Sequence, residues 1–284
     1  MTSLGKTPCA IIAGSGESAT GVCMAFVDGP SGLSRLIIPT APHVRDPELF
    51  WSTLYTIGRE LDATDIFLES FASSDPSLPS PGARTSLECR YEYRLDLNAE
   101  DLRSKMHGNH RRNLKKGQNH GLRISNISDL EALDIHCDLV MESLRRRKSK
   151  AEKVDVSVNR PMIEALLTSG CAEIWQATYD DHCHSSIVLL RSANAAYYHS
   201  AGTAEQGRKS GASVTLILSV AEQLRSEDVK IFNLGGAGAE SAGLRRFKQG
   251  FGAKEICLGR AHIKLVSDPI RLFRRIRRRI SRSG

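Results

Sequence analysis

The sequence predicts a mixed α/β protein, and three observations lead to that. Short apolar runs recur between Gly-, Ser- and Pro-rich turns. Segments with apolar residues three and four apart are interleaved with them. The alternation then starts afresh near residue 121, as it would in a chain of two strand-helix-strand halves built on a mixed sheet. A length of 284 residues suits one large domain or two smaller ones.

Taken in order, Cys9 to Ile12, Gly21 to Val27 and Arg35 to Pro39 read as strands separated by small-residue turns. Asp46-Pro47-Glu48 opens a helix carrying Phe50, Leu54, Ile57 and Leu61 at helical spacing. Asp65 to Phe71 reads as a buried strand, Ser73 to Gly82 as a loop and Thr85 to Leu95 as a further strand. Asn98 to Asp101 supplies caps for a long basic helix. Gly121 to Ile127 is a strand, and Ser128 caps a helix with Leu130, Leu133, Leu139 and Leu144 along one side. Pro161 opens another helix that Gly170 closes. Ala172 to Tyr179, His184 to Arg191 and Asn194 to His199 read as antiparallel strands. Ser213 to Leu224 is a helix, Val229 to Leu234 a strand, Leu244 to Lys248 a short helix and Lys254 to Leu265 a last strand. The expected divisions are 1–98, a basic connecting helix over 99–120, a second unit over 121–266 and a tail over 267–284.

Charge and cysteine content narrow the function. The net charge is +7, and the seven arginines of Arg271 to Gly284, a stretch without acids, account for all of it. Phe273, Ile276 and Ile280 recur there at helical spacing among Arg274, Arg275 and Arg278. Such a basic amphipathic helix suits a polyphosphate backbone or peripheral contact with an anionic membrane. The plainer reading is a terminal helix docked through its apolar residues. A second basic group, Arg111, Arg112, Lys115 and Lys116, lies on one helix, and Arg145 to Lys148 ends another, where cations complement the helix dipole. No apolar run is long enough to cross a membrane. Seven cysteines without a CxxC pair read as buried thiols of a reducing compartment, so a cytoplasmic protein is expected. Cys183, between His182 and His184 and after Asp180 and Asp181, reads as part of a polar hairpin rather than a metal site, and no metal is expected.

Three segments carry candidate chemistry. Ala195 to Gly202 is a strand ending in small residues, with Tyr198 as a candidate proton donor to a leaving group or, equally, a cross-strand core residue. Arg208-Lys209-Ser210-Gly211-Ala212-Ser213 is a small-residue turn opening a helix, where backbone N–H groups and two cations suit a phosphate. Phe232-Asn233-Leu234-Gly235-Gly236 is a strand ending in glycines, followed by the helix that presents Phe247 and Lys248. A splay between the two strand ends would open a cleft, with Lys248 placed to stabilise a developing negative charge. The plain reading of Phe247 and Lys248 is a core ring beside a solvated cation.

Together these segments resemble acyltransferases of GNAT fold, and within them the Fem branch of non-ribosomal peptidyltransferases. The resemblance rests on Tyr198-x-Ser200-x-Gly202, Gly211-Ala212-Ser213, Asn233-Leu234-Gly235-Gly236 and Arg246-Phe247-Lys248-x-Gly250-Phe251-Gly252. It covers residues 100–260 well and 1–95 weakly. It implies tandem GNAT-like units, the second better preserved, and transfer of an amino acid from aminoacyl-tRNA to an amine. Lys248, beside Phe247, would hold the oxyanion. Two departures stand out. Arg208-x-x-Gly211-x-Ser213 is one residue off the pyrophosphate turn of coenzyme A enzymes. No heptad run marks a coiled-coil arm, which makes a small peptide or natural-product amine a plausible acceptor beside a cell-wall precursor. The expected donor is aminoacyl-tRNA as co-substrate, with no other cofactor. A coenzyme A thioester is the alternative donor, and a non-catalytic RNA- or membrane-binding module is the third reading.

Overall fold

The computed structural model describes residues 6–13, 21–40, 44–70, 78–79, 84–98, 101–238, 240–267, 269–270, 273 and 276. The chain forms two compact units, Met1–Arg90 with Cys257–Gly284, and Tyr91–Ile256. These divisions fall at residues 90 and 256, whereas the sequence suggested 98, 120 and 266.

The first unit orders its strands β1 (Lys6–Ala13), β2 (Gly21–Asp28), β3 (Ser34–Ile38), β4 (Ala63–Leu68) and, at the far side, the later part of β11 (Lys254–Lys264). β3 and β4 are parallel, and α1 (Pro47–Glu60) connects them. Asp46 caps α1 by accepting from Leu49 N, and Pro47 occupies the first turn, where its missing N–H costs nothing. Phe50, Trp51 and Leu54 of α1 join Ile11, Leu36, Ile38, Ile66 and Ile263 in one core. Cys89 and Cys257 are joined as a disulfide with Cα atoms 6.0 Å apart. This corrects the expectation that all the cysteines are free thiols: alternating strands leave both exposed, on facing positions that the linear sequence conceals.

The second unit orders its strands as the later part of β5 (Thr85–Asp96), then β10 (Ile231–Gly236), β9 (Ala195–Thr203), β8 (His182–Arg191), β7 (Ala172–Tyr179) and β6 (Arg123–Asn126). All neighbouring pairs are antiparallel except β9 with β10. β7 and β8 are joined by Asp180 and Asp181, both in the left-handed region with φ of 50° and 57°, so this segment is a tight hairpin. Among the described residues no cluster of three or more potential metal ligands occurs.

Helices cover both faces. α6 (Ala212–Ser226) is apolar nearly all round, and Val214, Leu216, Ile217, Val220 and Leu224 are buried in a core with Leu189 and Phe232. α3 (Leu130–Ser149) and α4 (Arg160–Thr168) bury Leu133 and Ile163 against Ile174 and Val188. α3 begins at Asp129, whose carboxylate accepts from Ala132 N, while Ser128 Oγ accepts from Ile174 N instead of capping the helix. α2 (Gly108–Asn119) starts later than the caps at 98–101 suggested. Asp101 spends its carboxylate on Arg103 N in a turn of its own, Leu102 and Met106 sink into the core, and the His107 ring caps α2. A short helix, α5 (Glu205–Ser210), precedes α6 where only a turn was expected, and α7 (Ala242–Gln249) is longer than Leu244 to Lys248.

Candidate active site

β9 and β10 pair in parallel only over Ile231–Asn233 and Ala195–Tyr197. Beyond that the strands part for identifiable reasons. β9 carries an extra residue at His199, between the partners of Val188 and Leu189, and continues along β8. β10 turns at Gly235, which has φ +75° and whose N–H donates to Asn233 Oδ1 at 2.8 Å. Asn233 Nδ2 donates to the buried carboxylate of Glu92 at 2.8 Å. One asparagine thus fixes the turn at the strand end and ties it to β5.

Lys248 fills the position below that turn. It is only 5% exposed, its Nζ donates to Gly236 O at 2.6 Å, and the ammonium lies 5.9 Å from the Tyr93 ring centre and 6.0 Å from that of Tyr198. Burial pushes its pKa down to about 8; Arg147 adds to the fall and Glu92 opposes it. α7 is held in place from α2: the buried His110 ring bonds Phe247 O through Nε2 at 2.9 Å and packs edge-on against Phe251. Burial also lowers the His110 pKa, which keeps the ring neutral and able to donate from Nε2.

Beside Lys248 lies a cavity of about 600 Å3 within the second unit. Tyr198, Ala201 and Thr203 of β9 form one side, Phe247 and Leu244 of α7 a second, and the last turns of α3 a third. Asn113, Gly211, Ser213 and Val214 close the end where α2 meets α6. Burial raises the Tyr198 phenol pKa, so it holds its proton at neutral pH. Phe247 and Tyr198 therefore line the cavity directly, and Lys248 stands behind them.

The other candidates divide. Arg208, Gly211 and Ser213 line the cavity, but the Arg208 guanidinium donates to Thr203 O at 2.8 Å and pairs with Glu142 at 3.5 Å. Lys209 points away, paired with Glu205 on its own helix. Gly211 sits at φ +78°, and a Cβ there would meet Asn113 O at 2.2 Å. α2 is thus seated on the turn expected to hold phosphate. Arg111, Arg112, Lys115 and Lys116 are exposed on α2, flanking the cavity residue Asn113. Arg274, Arg275 and Arg278 lie outside the described residues. Ile270, Phe273 and Ile276 of the tail are helical and exposed, Phe273 at 64%, so neither Phe273 nor Ile276 is docked, and Ile280 lies outside the described residues. Sequence reasoning missed Glu92 and Asn233 as supports of the strand end and treated Arg146 and Arg147 only as helix-end cations. An asparagine two residues before a pair of glycines at a strand end was the available signal for Asn233.

A family model described as an acetyltransferase (GNAT) domain matches residues 104–249, just over half the chain. Comparison with curated proteins finds no significant match. Among solved structures, FemX superposes with a TM-score of 0.69 at 12% identity, covering 89% of this chain and 88% of that one. L-PGS from Bacillus licheniformis gives 0.59 at 14%, with 92% and 86% covered. A tandem GNAT protein from the clavulanic acid biosynthesis pathway gives 0.58 at 12%, with 93% and 84% covered. The likeness in fold and the matched segment, which contains every residue lining the cavity, agree: the chain belongs to the acetyltransferase (GNAT) domain family.

Proposed function

We propose that this acyltransferase moves an amino acid from aminoacyl-tRNA to the amine of a small peptide, natural-product or cell-wall-precursor acceptor. The observation that carries the reading is the buried ammonium of Lys248 at the end of β10, against a cavity walled by Phe247 and Tyr198. The acceptor nitrogen attacks the ester carbonyl and forms the C–N bond, and the carbonyl oxygen takes the negative charge. Among the described residues Gly236 O takes one of the three N–H donors of Lys248, and another serves the oxyanion. As the ester C–O bond breaks, the Tyr198 phenol protonates the leaving ribose oxygen and regains a proton released by nitrogen. A donor of this kind lowers the barrier by on the order of 3 kcal/mol.

Two observations support a tRNA donor over coenzyme A. The Arg208 guanidinium is engaged by Thr203 O and Glu142, and the Asn113 carbonyl crowds Gly211 where a diphosphate would rest. The exposed cations of α2 flank Asn113 at the cavity and offer a surface for a phosphate backbone. The second reading, acyl transfer from coenzyme A, draws support from the description of the matching family. Likeness to FemX and L-PGS concerns fold, and it makes an aminoacyl donor a reasonable first assay.

Single-turnover incubation with a mixed pool of charged tRNAs tests the reading. One aminoacyl ester should disappear and reappear as an amide on an added amine. Lys248→Ala should slow this about 100- to 1000-fold while leaving the circular dichroism spectrum unchanged. Micromolar calorimetric binding of acetyl-coenzyme A, with no loss of any aminoacyl ester, would replace this donor with the thioester.

A further inference from the structure

The last turns of α3 bring Arg146, Arg147 and Lys150 to the cavity wall. Two of the cavity's arginines are satisfied by the protein. Arg147 Nε donates to Glu152 at 2.8 Å and its Nη2 to Ser241 Oγ at 3.4 Å, while Arg208 is held by Thr203 O and Glu142. Arg146 differs: its Nε is buried and has no hydrogen-bond partner. Buried donors in folded proteins are almost always paired, so an orphaned guanidinium N–H on a residue that lines a cavity marks a missing acceptor. The planar fork of arginine matches two oxygens of a carboxylate or a phosphate.

The charge around the cavity points the same way. Of its acids, Glu152 is neutralised by Arg147, and Glu240 pairs with Lys153 at 3.6 Å. Among the described residues no ion pair engages Arg146 or Lys150, one helical turn apart, so the wall keeps an uncompensated positive charge. The field of Arg147 already extends to Lys248, so charge on this wall is felt at the proposed reaction centre.

We propose that Arg146, assisted by Lys150, binds an anionic oxygen group, a carboxylate or a phosphate, carried by the acyl acceptor. Assignment to the acceptor rests on the transfer reading, in which the donor's phosphate backbone lies along the exposed cations of α2 beside Asn113. The anion site itself does not rest on it. An acceptor so held presents its amine toward Tyr198 and Lys248, and a neutral amine lacking the anion would be a poor substrate.

The test is 1H–15N NMR on the full chain, following the Arg146 Nε–H signal and the Ser213 amide during separate titrations with sodium phosphate and sodium acetate at constant ionic strength. The Arg146 signal is assigned by its loss in Arg146→Gln. Saturable shifts of both signals with at least one anion are expected, and the tighter anion identifies the class. Arg146→Gln should weaken that binding, read at Ser213, at least ten-fold, whereas exposed Arg145→Gln should leave it unchanged. Absence of a saturable shift with either anion overturns the proposal. So does equal weakening by the two variants, which would mean diffuse attraction to surface charge. Neither readout requires turnover, so failure to observe aminoacyl transfer would refute the function without refuting the site.

Discussion

Lys248 carries its charge where charge is penalised, and this has a consequence in solution. The unfolded chain holds the proton up to pH 10.5, the folded one only to about 8. Between those values the unfolded state binds more protons, so stability rises with pH, and the cost of the buried ammonium is fully present below pH 8. The stability difference between wild type and Lys248→Met should therefore move in favour of wild type by on the order of 3 kcal/mol between pH 8 and 10.5, as read from urea unfolding at both ends. Transfer should change in the opposite sense and fall above pH 8 as the amine loses its charge. A flat stability difference across this window would mean that Lys248 is solvated. The Phe247-Lys248 pair was singled out by its resemblance to the Fem-branch motif, whereas spacing alone favoured a core ring beside a solvated cation. Glu92 was not legible: in an alternating strand an acid normally marks the solvent face, and its burial is met by Asn233, 141 residues away, and by Arg94 at 3.6 Å.

At the scale of elements, the cavity depends on close approach between α3 and β9. A Cβ on Gly202 would come within 2.2 Å of the Leu139 carbonyl carbon and 2.4 Å of Val140 N. Both are backbone atoms that cannot rotate aside. Gly202→Ala should cost about 1–3 kcal/mol in urea denaturation with an unchanged m-value. It should also impair transfer, because displacing α3 moves Val140 and Ser143 at the cavity. Tolerance of alanine would show that α3 is not seated this tightly. Helix and strand types along this unit followed from spacing alone. The start of α2 did not, because Asn98 to Asp101 are good caps locally and burial of Leu102 and Met106 overrides them. α5 was missed for a related reason: six residues are too few for periodicity to register.

At the scale of the molecule, the charge is lopsided, and the described apolar residues of the tail are not packed away. Removing Arg271 to Gly284 would eliminate the net charge of +7 and change stability by less than about 1 kcal/mol, because Phe273 and Ile276 are exposed. The slope of log K for tRNA binding against log salt should shrink by about 0.9 for each arginine that touched a phosphate. An unchanged slope, with loss of binding to phosphatidylglycerol vesicles, would assign the tail to a lipid surface instead.

The sequence by itself determined the alternation of strands and helices, the position of the charge and the short segments around Tyr198, Gly211 and Lys248. These are local patterns, set by side-chain spacing and by where glycine breaks a strand. Only the tertiary structure decided which cations face the cavity, which are already paired, that Cys89 meets Cys257, and that α2 sits on Gly211. The physical reason is that hydrogen bonds and desolvation act between groups far apart in the chain, so the state of a charged side chain is fixed by neighbours that no window of sequence contains.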